Sequence, residues 1–232
     1  MYFIGLFIMT IGIALSVKSN LGVSPVSSIP YTMTCIWGIE MGKATIIFHI
    51  VLVFIQFLLL RKNFKLITLL QIPVGVIFGY FTTFCNYLAS FFPTPDNLIV
   101  RILMVLASSV IVAVGIFLYL PADVIPLAGE GVMSAVSQVT KIEFSKIKMG
   151  FDITMVVVSA AACLIMIHSL GSVGAGTVIA AFLVGFILGI INKAFGKYRD
   201  KLLKKTPSVQ VDEKTDDEQN PTYAVSYTHL RA

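Results

Sequence analysis

The feature that most constrains this chain is a series of long apolar runs, each close to the length needed to cross a lipid bilayer. A helix rising 1.5 Å per residue needs ~20 predominantly apolar residues to span a hydrocarbon core of ~30 Å. Six stretches meet that requirement, at residues 2–17, 42–60, 67–88, 98–120, 147–168 and 173–192. Lipid offers no hydrogen-bond partners to an open strand edge, so such runs must be helices or strands of a closed barrel. The period-two alternation of a barrel strand is absent. Composition agrees: 57% of the 232 residues are hydrophobic and 12% are charged, against about 25% charged in a soluble domain. The expected fold is an all-α membrane protein.

The connections orient the spans. Arg61-Lys62-Asn63-Phe64-Lys65 carries three cations between spans two and three. Phe92-Pro93-Thr94-Pro95-Asp96-Asn97 and Ser169-Leu170-Gly171-Ser172 carry none. Lys193, Lys197, Arg199, Lys201, Lys204 and Lys205 follow the last run. Cations alternate sides, so the positive-inside rule places both termini in the cytoplasm. Five spans would put the basic loop and the basic tail on opposite sides. The same cluster accounts for the net charge of +5 without a nucleic-acid partner.

Two connections, Lys18–Met41 and Pro121–Lys146, are too long and too apolar to be plain loops. Both open on Gly and Pro, in Leu21-Gly22-Val23-Ser24-Pro25 and Pro126-Leu127-Ala128-Gly129-Glu130-Gly131. Both continue into a short semi-polar helical stretch, residues 25–37 and 131–140. These are too short to span and are expected to be interfacial or re-entrant half-helices. Gly22, Ser24, Pro25, Gly129 and Gly131 would shape the breaks.

The order of span, Gly/Pro break, half-helix, span, span occurs twice. Gly12, Gly22, Glu40, Phe48 and Ile50 are matched by Gly115, Gly129, Glu143, Phe151 and Ile153, and Gly79 and Asn86 by Gly185 and Asn192. Residues 1–97 and 98–195 form the two units, and 196–232 a basic, then disordered, tail. Three spans is an odd number, so the second unit must be inverted relative to the first. Inverted repeats with broken helices at the midplane are a hallmark of secondary transporters. Duplicated bundles also serve as channels, scaffolds and enzymes.

Ionisable residues in apolar runs cost ~2.5–3.5 kcal/mol on insertion scales and mark candidate sites. Glu130 lies between two glycines. Lys148 and Asp152 stand four apart, on one helix face, where they can pair. His49 occupies the repeat position of Asp152. Together Glu130, Lys148, Asp152 and His49 are the candidate substrate- or ion-binding residues. The bland alternative is a structural ion pair and a packed histidine. Gln56, Gln71, Asn86 and Asn192 are expected to bond between helices, Arg101 to reach the outer interface, and Pro73 to kink span three.

Catalysis is not expected. Ser24 has no evident base other than His49, no residues have metal-ligand spacing, and no cofactor is implied. Gly171-Ser172-Val173-Gly174-Ala175-Gly176-Thr177 lacks the Lys and the preceding strand of a phosphate loop and reads as a tight turn. Cys35, Cys85 and Cys163 lie far apart in apolar sequence and read as packed thiols. There is no basic n-region for a cleaved signal, and the first span reads as clipped, with a natural start upstream of Met1. Val225–Ala232 resemble translated adapter sequence and carry no expectation.

Leu21-Gly22-Val23-Ser24-Pro25, Pro126–Gly131 with Lys148 and Asp152 downstream, and Gly174-Ala175-Gly176-Thr177 followed by Gly185 resemble the YczE/YitT-like family of bacterial integral membrane proteins, its YczE branch in particular. The resemblance covers residues 2–195. It implies a bacterial inner-membrane protein of undefined activity. The leading expectation is a small-molecule secondary transporter or exporter, working in the bilayer as monomer or homodimer. The alternatives are an accessory protein that organises a membrane complex and, third, an intramembrane enzyme.

Overall fold

The computed structural model describes residues 1–120 and 125–202. Residues 121–124 and the tail from 203, with Lys204, Lys205 and Val225–Ala232, lie outside the described residues. Among those described there are eight α-helices and no strand: α1 (Tyr2–Ser19), α2 (Pro25–Trp37), α3 (Met41–Leu60), α4 (Gln71–Ser90), α5 (Leu98–Tyr119), α6 (Ala128–Thr140), α7 (Phe144–Ile167) and α8 (Ala175–Leu202). Six are long and apolar enough to cross a membrane, and the short α2 and α6 are not.

Three of the departures from the sequence expectation have a visible physical cause. α6 starts at Ala128, three residues early, because the Glu130 carboxylate turns back to accept the Leu127 N–H at 3.1 Å. That bond satisfies one orphan donor of the first turn. α8 continues past residue 192 to Leu202, so most of the basic cluster extends the helix instead of following it. Lys and Arg are good helix formers and need no apolar surroundings. Pro73 falls in the first turn of α4, after a 3-10 stretch at Leu66–Leu70. A first-turn residue lacks an intrahelical N–H partner in any case, so Pro73 opens a helix where a mid-span kink was expected.

α1 and α5 form the centre and pack along each other. A Cβ on Gly5 would meet Gly115 and Tyr119, and one on Gly12 would meet Ser108 and Val112. Advancing along α1 thus means retreating along α5, so the two are antiparallel. α4 flanks α1, α8 flanks α5, and α3 lies along α4. The short helices fill the other side: α2 against α3 and α7, α6 against α3 and α7. Enclosure falls outwards, from 56% of the α1 span buried to 11% of the α7 span. The outer helices present Phe182, Phe186, Ile165 and Tyr80, side chains that suit lipid.

Candidate functional site

The two short helices meet at their N-terminal ends. A Cβ on Gly129 would lie 3.6 Å from a Val26 methyl, and both residues are second in their helix. Each end is reached by a different kind of break. At the first, Gly22 has φ +101°, a conformation that suits glycine. A Cβ there would sit 2.5 Å from the Thr177 hydroxyl and 2.6 Å from the Gly174 nitrogen. The turn before α8 closes on this break through Gly176 N–H to Leu21 O at 2.8 Å and Val23 N–H to Ser172 O at 3.3 Å. The Gly-rich segment is thus a packing turn, as expected. At the second break the chain enters α6 through extended Leu127.

Gly129 was expected to shape that second break and does not. It lies inside the first turn of α6 with ordinary van der Waals room. Gly131 is the constrained glycine. A Cβ on it would lie 2.5 Å from both Gln56 Oε1 and Gln71 Nε2. Buried Gln56 donates to Gln71 Oε1 at 2.8 Å and to Ala128 O at 3.2 Å, tying α3, α4 and α6 together. α2 is held by hydroxyls instead: Ser159 donates to Ser28 at 2.8 Å, Ser28 to Pro25 O at 2.6 Å, and Thr32 shares a 2.6 Å bond with Ser172.

The candidate residues do not share one cavity. The Glu130 carboxylate accepts from the Tyr119 hydroxyl as well as from Leu127 N–H. Tyr119 is fully enclosed, edge-on to Tyr2, whose hydroxyl donates to Ile125 O at 2.6 Å. Lys148 pairs with Asp152 at 2.7 Å. Its side chain is 51% exposed, and the Asp152 side chain 18%. The second Asp152 oxygen, Oδ1, is buried without a hydrogen-bond partner. His49 stands apart from these three. It is stacked on Phe78 at 5.7 Å between α3 and α4, packed on Gly75, with Nδ1 buried and unpartnered.

A small hollow does exist beside the N-terminal end of α2, lined mostly by residues that the sequence does not single out. Ser16, Ser24, Ser27, Ser108 and Ser109 line it, with Val23, Ile13, Val112, Ala180 and Val184. Its free volume of about 10 Å³ admits one water-sized body. The lining is uncharged. Ser16 donates to Gly22 O at 3.1 Å, Ser24 to Ser27 at 3.1 Å, and Ser108 and Ser109 to Val105 O at 2.9 and 2.8 Å. The hollow lies between α1, α2, α5 and α8, and most of the surface it presents is apolar. Ser24 was the only one of the five singled out in the sequence, as part of the break. Its hydroxyl bonds Ser27, and no Ser–His pair forms among the described residues. Nor do the described residues contain a metal-ligand cluster.

Other polar residues behave in part as expected. Asn86 bonds Thr82 O within its own helix, where an interhelical bond was expected. Arg101 donates Nε–H to Pro95 O at 2.7 Å, so it is tied to the loop preceding α5. Cys85 and Cys163 are buried, Cys35 is half-buried, and all three are free.

Residues 1–193 match the model of a family of unknown function, DUF6198. The chain is also 24% identical over 188 residues, 81% of each chain, to the uncharacterized membrane protein YczE of Bacillus subtilis (strain 168). No solved structure matches. The YczE-like resemblance of the sequence motifs is thereby borne out, and with six apolar helices in hand the chain is a membrane protein belonging to the DUF6198 family of unknown function.

Proposed function

We propose that this protein is a small-molecule secondary transporter built from two inverted repeats, residues 1–97 and 98–195. The observation that carries the reading is the meeting of α2 and α6 end to end at Val26 and Gly129. α2 begins at Pro25 and α6 at Ala128, 103 positions on, so in this reading Val26, and not the Gly22 of the sequence pairing, is the counterpart of Gly129, and equivalent positions of the two units lie side by side. That is what a two-fold axis between the units requires. α2 and α6 are both 13 residues long, with left-handed C-caps at Gly38 and Lys141 and N-cap glutamates Glu40 and Glu143 on the helices that follow.

The packing supports the same exchange. Replacing α1, α2, α3 and α4 by α5, α6, α7 and α8 turns α1·α4 into α5·α8, α2·α7 into α6·α3, and α2·α3 into α6·α7, and each of these pairs is packed. Gly5 on Gly115 becomes Ser108 on Gly12. Even the polar ties correspond, for Ser159–Ser28–Pro25 stands where Gln56–Gly131–Ala128 does.

In this reading the site lies where the half-helix ends converge, with donor-rich first turns aimed at a common point. The serine hollow flanks it on one side and Tyr119–Glu130 on the other. Glu130, Lys148 and Asp152 supply the charge for solute or coupling ion. The basic loop Arg61–Lys65 and the cations in the C-terminal part of α8 face the cytoplasm, in the inner membrane of a bacterium.

The test is uptake by purified protein in liposomes, across a broad panel of labelled small solutes, with and without a proton gradient. The expected result is protein-dependent accumulation of a subset, reduced at least about tenfold by Glu130→Gln, as for loss of a charge-assisted bond. Uniformly empty liposomes would overturn the proposal.

A further inference from the structure

One pair of helices breaks the exchange described above. α3 lies along α4, but beyond the turn that joins them α7 does not lie along α8. The α3–α4 seam is close: Gly79 packs on Ile46 and on the Gly42 carbonyl, and Gly75 on the His49 ring, which stacks on Phe78. Each contact uses a residue with no side chain, so two helices can approach where larger residues would hold them apart.

The same equipment stands unused in the second unit. Gly185, 106 positions after Gly79, has nothing within 4 Å of where a Cβ would be, and neither has Gly189. Met149, 103 positions after Ile46, is 62% exposed. Asp152, at the His49 position, keeps a buried oxygen without a partner. Ala180 and Val184 of α8 border the serine hollow, whereas Val74 and Phe78 of α4, at the matching places, are packed into the core with Leu6, Met9 and Tyr119. One seam is closed and its pocket filled. The other is open and its pocket hollow.

We infer that α7 closes onto the Gly185–Gly189 face of α8 in a second conformation, as α3 now lies on α4, while the α3–α4 seam parts. The inference rests on the repeat reading proposed above. Among candidate occupants of this face, α7 is the one for which the molecule itself displays the fit. It is joined to α8 by a turn of seven residues, from His168 to Gly174, which keeps it within reach. It also carries Met149 where Ile46 sits on Gly79. Closure carries the Lys148–Asp152 pair from a half-exposed position into the α7–α8 seam, the counterpart of the enclosed place that His49 occupies between α3 and α4. The His49 position and the ion pair then alternate in burial, so the two states differ in which polar group faces the exterior.

The test is disulfide trapping in the full chain with Met149→Cys and Gly185→Cys, oxidised in proteoliposomes and mapped by mass spectrometry. Both positions face open space, so neither substitution disturbs the fold described. Thr10→Cys, opposite the native Cys85 at 3.3 Å, is the control for oxidation. The expected result is an intramolecular 149–185 bond with loss of both free thiols. A control bond without a 149–185 bond overturns the inference, and so does a 185–185 bond between two chains, which would make the face a dimer contact. Uptake is scored on the unsubstituted protein. Solute accumulation without the 149–185 bond refutes seam closure alone. The bond without accumulation refutes the transport reading and leaves the conformational change standing.

Discussion

The N-terminal ends of α2 and α6 occupy similar surroundings and are finished in opposite ways. Around α2 the neighbouring helices contribute Ser16, Ser108 and Ser109, and a hollow remains. Around α6 they contribute Leu6, Met9, Phe78 and Tyr119, and the space is filled. α2 is secured by hydroxyls, Ser159 donating to Ser28 and Ser28 to Pro25 O, and α6 by two glutamines and a carboxylate latched to a phenol. Close packing resists change in either direction, because filled cores lose contacts when opened and strain when overfilled. A hollow beside one end and a plug beside the other is therefore a way to make the two ends differ in readiness to move.

Six substitutions bear on this contrast. The largest effect is expected at Gly131. Gly131→Leu drives a side chain into Gln56 and Gln71 and breaks their ties to α4 and α6. It should cost about 3 kcal/mol or more, from overpacking plus stranded buried amides. Gly129→Ala, two residues away, has room against Val26 and should be close to neutral. Thermal unfolding in detergent distinguishes the two, and equal costs would deny that α6 is pinned through Gly131.

Next comes Tyr119→Phe, which removes the phenol donor from Glu130 and leaves Leu127 N–H in place. The loss should be about 1–3 kcal/mol, read as a lower midpoint in chemical denaturation. An unchanged midpoint would mean that the latch holds nothing. Smaller still is the effect of Gly185→Ala on stability. With open space at that position it should gain about 0.5–1 kcal/mol from helix propensity, whereas Gly79→Ala, against Ile46, should lose stability. For Ser109→Ala the stability change should stay within about 1 kcal/mol, since Val105 O keeps its bond from Ser108. Its effect should fall on uptake, and normal uptake would separate the hollow from the path of the solute.

The sequence was a good guide to whatever depends on runs and on neighbours along one helix. Apolar length found all six spans, and the four-residue step found the Lys148–Asp152 pair. It was a poor guide wherever the partner comes from elsewhere in the chain. Gly129 and Gly131 flank the same glutamate and look alike, and only Gln56 and Gln71, brought in by α3 and α4, make one of them indispensable. Ser16, Ser27 and Ser109 are unremarkable in apolar sequence, and the pocket exists because four helices bring them together. Tyr119 closes a span as many tyrosines do, and its bond to Glu130 crosses a break whose path no local pattern specifies. Glu130, Lys148, Asp152 and His49 are not gathered around one cavity for a related reason. Equal repeat positions place His49 and Asp152 on matching seams, which are different places.

The central claim is that one site, where the half-helices meet, is reached from both sides of the membrane in turn. Ser27→Cys places a thiol on the hollow. It can be tested with a small, charged, impermeant methanethiosulfonate in sealed right-side-out and inside-out vesicles, with labelling counted by mass. The account predicts modification in both preparations, at different rates. Modification from one side only, however long the exposure, would contradict it.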